Sequence, residues 1–476
     1  MRLTVFFLLA GCGRIEFWVH EGAPPPFTGG DDTATTGEDT ADRADPVDTS
    51  VDSGGADSGT PDSGDTADSA DSGDTATAPP AAWSPGPVSI IVSVPYTEGE
   101  GDLLPQLLHL ADVNGDGHLD LGYDSLSIEP WSGAPTPTDL RTATVLAGDG
   151  RGSFGLFARH LATTTSWGYP NGSVGDLNED GYADYVVGTT AGLTVLDGGV
   201  TGFLARTVAA GTIVDLRVVD WDGDGHLDVV TLDHSNLYSV YRGDGLGGLT
   251  LSAAMPVDLL GAAYTMGQPW CFADVTGDGL VDLVTDANLG SYTPMVLVND
   301  GLGGFLSSVI TPNVIDVPSY SAYYPMAAES DSDGTPEIHF SYVYNATTGL
   351  TESRVWDPDT NAHSAAAAVP ESVYRGTLLG PEQLFLADLD LDGRPDGIRF
   401  LAESDGTTEW TSLFTSLAVS GGFSPWVEAP LSASMFLPFG LEVTATFAVG
   451  DVNEDRCMDI VVNAGKDIYL VEGDCD

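Results

Sequence analysis

One nine-residue pattern, written seven times along the chain, constrains the fold more than anything else in the sequence. Oxygen-bearing side chains fall at positions 1, 3, 5 and 9, usually with glycine at position 6. The first three copies are Asp112-Val-Asn114-Gly-Asp116-Gly-His118-Leu-Asp120, Asp176-Leu-Asn178-Glu-Asp180-Gly-Tyr182-Ala-Asp184 and Asp220-Trp-Asp222-Gly-Asp224-Gly-His226-Leu-Asp228. The fourth and fifth are Asp274-Val-Thr276-Gly-Asp278-Gly-Leu280-Val-Asp282 and Glu329-Ser-Asp331-Ser-Asp333-Gly-Thr335-Pro-Glu337. The last two are Asp388-Leu-Asp390-Leu-Asp392-Gly-Arg394-Pro-Asp396 and Asp451-Val-Asn453-Glu-Asp455-Arg-Cys457-Met-Asp459. Their first residues lie 64, 44, 54, 55, 59 and 63 positions apart. A repeat of that length is one supersecondary unit, and its neighbours must stack on it to bury its apolar surface.

The flanks identify the unit. An apolar strand precedes each loop, as in Leu384-Phe-Leu-Ala, and a β-rich strand follows it, as in Tyr185-Val-Val and Ile460-Val-Val. A third strand comes next (Leu237-Tyr-Ser-Val-Tyr), and then a glycine-rich turn such as Gly243-Asp-Gly-Leu-Gly-Gly leads to a fourth. Four strands per repeat with no helical period predict an all-β, seven-bladed β-propeller. The last repeat stops after its third strand, Asp467-Ile-Tyr-Leu-Val-Glu472, while an unassigned strand at Val88–Pro95 precedes the first repeat. That N-terminal strand is expected to complete the last blade and close the ring, which removes exposed strand edges.

These loops and their spacing resemble the FG-GAP/VCBS repeat family, propellers that include the integrin α heads. The resemblance covers nearly all of 81–476. It implies calcium in the loops, and partners docking on the face opposite them. That face is built from the connections entering the first strand and those joining the second and third. Trp131, Trp167, Tyr169, Tyr264, Tyr320, Tyr323 and Tyr324 fall in such connections and are the candidate partner-face residues. Aromatic platforms suit sugar rings and protein hot spots; packing between blades is the competing use.

The loop chemistry agrees with calcium on its own terms. Calcium takes about six to eight hard oxygen ligands in flexible geometry. Side chains at positions 1, 3, 5 and 9 with the carbonyl of position 7 would wrap one ion, and glycine at position 6 permits the left-handed turn. On this reading His118, Tyr182, His226, Leu280, Thr335, Arg394 and Cys457 contribute only backbone oxygen. An EF-hand needs a glutamate at position 12 and flanking helices; here position 12 is Tyr123, Val187, Thr231, Thr285, Phe340, Arg399 or Val462. Metal-free Asx turns are the remaining alternative. Loops three and six, with four aspartates each, are expected to bind most strongly. Loop four has the neutral Thr276, loop five the longer Glu329 and Glu337, and loop seven has Arg456 where glycine is wanted. Up to seven Ca2+ ions are expected, with loop seven the weakest site.

Composition bears on partners and compartment. Asp and Glu number 71 against 15 Lys and Arg, a formal net charge of −56. Such a surface repels nucleic acid and anionic lipid. Residues 12–80 hold a Thr/Asp/Ser/Gly/Ala repeat with no apolar period, read as a disordered acidic tether. Residues 1–11 resemble a bacterial lipoprotein signal, with Leu9-Ala-Gly-Cys12 as the lipobox and Cys12 as the lipidated residue. The protein is therefore expected outside the cytoplasm, held to a bacterial membrane through its lipid alone. Gly13 after Cys12 points to the outer membrane or cell surface by enteric sorting rules. Cys457 and Cys475 flank a hairpin centred near Lys466, and a disulfide between them fits that compartment. Cys271, in an apolar strand, reads as a buried core thiol.

The eight histidines are scattered, and no zincin, nucleophile-elbow, CxxC or phosphate-loop motif is present. The expectation is a non-enzymatic, monomeric binding or adhesion module for a protein or glycan partner, its calcium structural. A polysaccharide lyase or hydrolase is the alternative, and a purely structural envelope protein a third.

Overall fold

The computed structural model describes Val5–Phe6, Trp18–Val19 and residues 83–475, apart from 94–101, 129–139, 164–171, 190–191, 212, 234–236, 257–269, 289–291, 311–319, 330–334, 346–349, 366–376, 379–382, 405–408, 420–421, 432–445 and 465–466. Among the described residues of 83–475, seven antiparallel sheets form blades, one for each copy of the loop pattern, and the chain is an all-β, seven-bladed propeller. Blade one consists of Asp102–Ala111, Asp120–Ile128, Leu140–Gly148 and Phe154–Thr163. Blades two to five repeat that up-and-down order, and each nine-residue loop joins a first strand to a second. In blade six the first strand is broken, so Thr377–Leu378 and Gln383–Ala387 both pair with Asp396–Ser404. That blade also carries a two-residue ladder, Ala418–Val419 with Gly422–Phe423, ahead of its fourth strand Val427–Leu431.

The ring closes with chain from the N-terminal side of the repeats. Ser84–Ser93 runs antiparallel to Asp467–Asp474 and supplies the fourth strand of blade seven. It starts four residues earlier than the hydrophobic run Val88–Pro95 suggests. Pro85 and Pro87 are tolerated because this is an outer strand, and the register shifts between Pro85 and Val88.

Among the described residues, seven apolar clusters lie between successive blades. Val113 and Val145 of blade one meet Val174 and Tyr185 of blade two. Trp221 and Tyr238 of blade three meet Trp270 and Leu283 of blade four. Ile398 and Phe400 of blade six meet Ile460 and Tyr469 of blade seven. Val461, Ile468 and Leu470, also of blade seven, meet Leu108 and Leu121 of blade one. The strands read as near-continuous apolar runs because both of their faces are covered. Cys271 is buried in the cluster between blades four and five. Trp83 donates its indole N–H to the Met458 carbonyl at 2.7 Å, and Cys457 is disulfide-bonded to Cys475 with Cα atoms 5.9 Å apart. Chain from both ends of the propeller is thus fastened to the loop of blade seven.

Candidate metal centre: the Asp-rich loops

Six of the seven loops lie within the described residues; residues 330–334 of loop five, with Asp331 and Asp333, lie outside them. The six share most of one construction, loop three differing at position 1, where Asp220 Oδ2 accepts the Gly225 N–H and Oδ1 takes no position 5 N–H. The position 1 aspartate turns back under its own loop: Asp112 accepts the N–H groups of Gly115 and Asp116 on Oδ1 and of Gly117 on Oδ2. Asp176, Asp274, Asp388 and Asp451 accept the position 5 and position 6 N–H groups in the same way. The position 5 carboxylate accepts the N–H of position 7, at 2.8 to 3.0 Å, in His118, Tyr182, His226, Leu280, Arg394 and Cys457. These bonds hold the oxygens of positions 1, 3 and 5 on one side of a tight turn.

The wrap needs two left-handed residues, whereas the sequence pattern singled out one. Position 6 has φ near +88° at Gly117, Gly181, Gly225, Gly279 and Gly393 and +76° at Arg456. Position 4 is left-handed too, at Gly115, Gly223 and Gly277 but also at Glu179, Leu391 and Glu454. A side chain in this region costs roughly 1 kcal/mol relative to glycine.

Position 9 does more than face an ion. Asp120, Asp184, Asp228, Asp282, Asp396 and Asp459 are all fully buried. In each, Oδ2 accepts the N–H of position 2, between 2.7 and 3.2 Å. Oδ1 reaches the far end of the blade's third strand and accepts the N–H of Gly148, Gly198, Gly243, Asn299, Ala418 or Gly473, between 2.6 and 3.0 Å. This carboxylate therefore brackets three strands together. Burial, followed by smaller effects that include neighbouring carboxylates, pushes Asp120, Asp184, Asp396 and Asp459 up to about 7 and Asp228 and Asp282 up to about 6. Buried carboxylates in this state favour a proton or a cation.

Loops three and six gather three carboxylates. One oxygen from each of Asp220, Asp222 and Asp224, and likewise of Asp388, Asp390 and Asp392, lies within 4.8 Å of the others. In loop three the buried Oδ1 atoms of Asp220 and Asp222 have no hydrogen-bond partner. All these donors are hard oxygens, the set that calcium takes, and the residues present fit that ion. Loop four has the neutral Thr276 at position 3, and the backbone N–H of Thr276 donates to Asp282 Oδ2 at 3.2 Å.

Position 7 side chains reach the preceding loop. His118 Nδ1 contacts Glu454 Oε1 of loop seven, and His226 Nδ1 bonds Glu179 Oε1 of loop two at 2.5 Å. The Glu179 carboxylate raises the His226 pKa. The Tyr182 ring lies on Gly115, where a Cβ would come within 2.2 Å of it, and Leu280 lies on Gly223. At these four junctions position 4 of one loop and position 7 of the next are matched, as His with Glu or as a bulky group with Gly. Loop and turn also bond directly: the N–H groups of Gly152 and Gly247 donate to Val452 and Leu177 of the adjoining blade, each at 3.2 Å.

Residues 220–285 match the family model for an FG-GAP-like repeat. That segment is an FG-GAP-like repeat. It runs from loop three through the remaining strands of blade three to the second strand of blade four, so the FG-GAP-like unit here is counted from loop to loop. No curated protein matches the chain. Among solved structures, an Agrocybe aegerita lectin described as recognising non-reducing terminal N-acetylglucosamine is 20% identical with TM-score 0.43, covering 68% of this chain and 80% of that one. The exotype rhamnogalacturonan lyase YesX is 13% identical with TM-score 0.42, over 80% of this chain and 75% of its own. The V. cholerae biofilm matrix protein Bap1 is 10% identical with TM-score 0.30, over 81% and 90%.

Of the candidate partner-face residues, Trp131, Trp167, Tyr169 and Tyr264 lie outside the described residues, as do Cys12 and all of the tether but Trp18–Val19. Tyr320, Tyr323 and Tyr324 do not fall in a connection: they belong to Tyr320–Ala328, the first strand of blade five, with Tyr320 opposite Asn345 and Tyr323 opposite Tyr342. Tyrosine is a good strand former, and this run extends the apolar strand ahead of loop five. Two histidines serve the blade interfaces instead of a surface. His109 stands edge-on to Tyr185 of blade two at 5.5 Å, and burial, then Arg217, lowers its pKa to about 3. Burial, then Arg399, lowers His339 to about 4.

Proposed function

We propose that the protein is a calcium-stabilised propeller acting as a binding or adhesion module for a protein or glycan, tethered outside a bacterial cell by a lipid on Cys12. The observation that carries the calcium part is loop three, with three carboxylates within 4.8 Å and two buried oxygens left without a partner. Asp220, Asp222 and Asp224 would hold the ion there, and the matching positions would do so in the other loops. The ion's contribution is charge neutralisation: it lets a ring of buried and half-buried carboxylates coexist and keeps the hairpins in shape.

The two faces differ in a way that supports binding on the side away from the loops. Every described loop repeats the left-handed turn and the position 5 and position 9 hydrogen bonds, which suits a constant structural task. The connections into the first strands vary instead, from the short one between Ala209 and Ile213 to the long ones between Pro256 and Cys271 and between Leu431 and Phe447. Loop variation on a fixed scaffold is how folds of this kind acquire specificity. A glycan and protein array probed with and without calcium tests the reading. Specific, calcium-dependent capture supports it. Turnover of a captured glycan would replace it with an enzyme, and a blank array with a structural envelope role.

A further inference from the structure

Loops three and six each carry an arginine on the carboxylates that the calcium reading assigns to the ion. Arg242, at the end of the third strand of blade three, pairs with Asp222 through Nε and with Asp224 Oδ2 through its terminal nitrogen at 2.9 Å. Arg394, at position 7 of loop six, donates from Nε and its terminal nitrogen to Asp392 Oδ2 at 3.0 and 2.5 Å. These are also the two described loops with a charged residue at position 3. The others have Asn114, Asn178, Thr276 or Asn453 there.

The charges balance. Positions 1, 3 and 5 carry −2 in loops one, two, four and seven, from two aspartates and a neutral residue. They carry −3 in loops three and six, and the guanidinium in contact brings each back to −2. The Asp222 side chain is only 4% exposed, so its charge is one the fold must neutralise from within. Arg242 is at the same time 41% exposed at its side chain, so its head has solvent to move into.

We propose that Arg242 and Arg394 are resident counter-cations of loops three and six, which hold those loops without metal and compete with calcium for the same carboxylates. The proposal rests on the calcium reading and refines it. Loops three and six, which their aspartate count marks as the strongest sites, become the weakest-filling ones and those most responsive to changes in calcium. The other described loops lack a second carboxylate to spare and depend on the ion.

The test compares the full chain with its Arg242→Gln, Arg242→Met, Arg394→Gln and doubly substituted variants. Methionine keeps an aliphatic stem where Arg242 packs on Gly303 of the next blade. Calcium titration by calorimetry, with stoichiometry from equilibrium dialysis, should show one weak site tightened by about tenfold or more per substitution, because a positive charge in contact with the ligands is removed. Melting temperature should fall in chelator but hold or rise in saturating calcium. Titrations that match the wild type or weaken would overturn the proposal, as would a fall in melting temperature under both conditions. Wild-type protein that takes up no calcium would remove the calcium reading itself; normal uptake with no tightening in the variants would remove only the role of the arginines.

Discussion

Asp184 Oδ1 accepts the backbone N–H of Gly198 at 2.8 Å, while Oδ2 of the same buried carboxylate accepts the N–H of Leu177 at 3.1 Å. One side chain therefore ties the start of the loop to the end of the third strand. Hydrogen bonds to a charged acceptor contribute about 1.5–3 kcal/mol each, and removing the acceptor strands one buried and one part-buried donor. Asp184→Ala is expected to cost roughly 3 kcal/mol or more even without calcium. Asp180→Ala, at the exposed position 5, should cost far less in chelator. Denaturant titration of the two variants without metal measures the difference; equal losses would contradict the bracket role of position 9.

The same carboxylates set a pH dependence for the metal-free protein. Burial raises their folded-state values to about 6 or 7, above the ordinary carboxylate range. A raised folded pKa means the native state binds protons more tightly than the unfolded chain does. The stability this contributes is fully present below the unfolded value near 4 and is lost as pH rises through 6 to 7. In chelator, melting temperature should fall between pH 5 and pH 8. Calcium should flatten that fall, since the ion replaces the proton, and a calcium effect that grows with pH is the signature to seek.

Arg456 holds φ at +76° where the other five described loops have glycine. Arg456→Gly should raise stability by about 1 kcal/mol and bring the loop of blade seven closer to its neighbours in calcium affinity. Thermal melts and calcium titration of the variant check both. A destabilised variant would show that the arginine side chain contributes more than its backbone conformation costs.

The blade architecture was legible because its signals are local and repeated. Strands with both faces covered read as short apolar runs, and an acidic loop, with glycine at position 6 in all but the seventh, marks each first hairpin. The closing strand was legible from arithmetic alone, since one blade lacked a strand and one strand lacked a blade. What was not legible depended on contacts between distant residues. Arg242 lies 18 positions beyond Asp224 on another strand, and nothing in the loop pattern points to it. The left-handed position 4 was hidden because glycine there alternates with Glu179, Leu391 and Glu454. The pairing of His226 with Glu179 joins two blades and appears only when the loops are side by side. Tyr320, Tyr323 and Tyr324 were misplaced into a connection because a tyrosine-rich run suits a strand and an exposed platform equally well.

Reduction of the Cys457–Cys475 bond should loosen the last blade. The two cysteines are 18 positions apart in sequence, and closing a loop of that size stabilises by about 3 kcal/mol. A reductant, or the Cys457→Ser and Cys475→Ser pair, should lower the melting temperature and increase proteolysis or hydrogen exchange first at Ser84–Ser93 and Asp467–Asp474. Uniform loosening of all blades would argue against a local clasp.

The central claim is that calcium in the Asp-rich loops holds the propeller in its folded form. Its most direct test is calorimetric melting of the full chain in saturating calcium and again in excess chelator at neutral pH. Melting temperature should drop by many degrees in chelator and recover when calcium is added back. An unchanged melting temperature would contradict the claim.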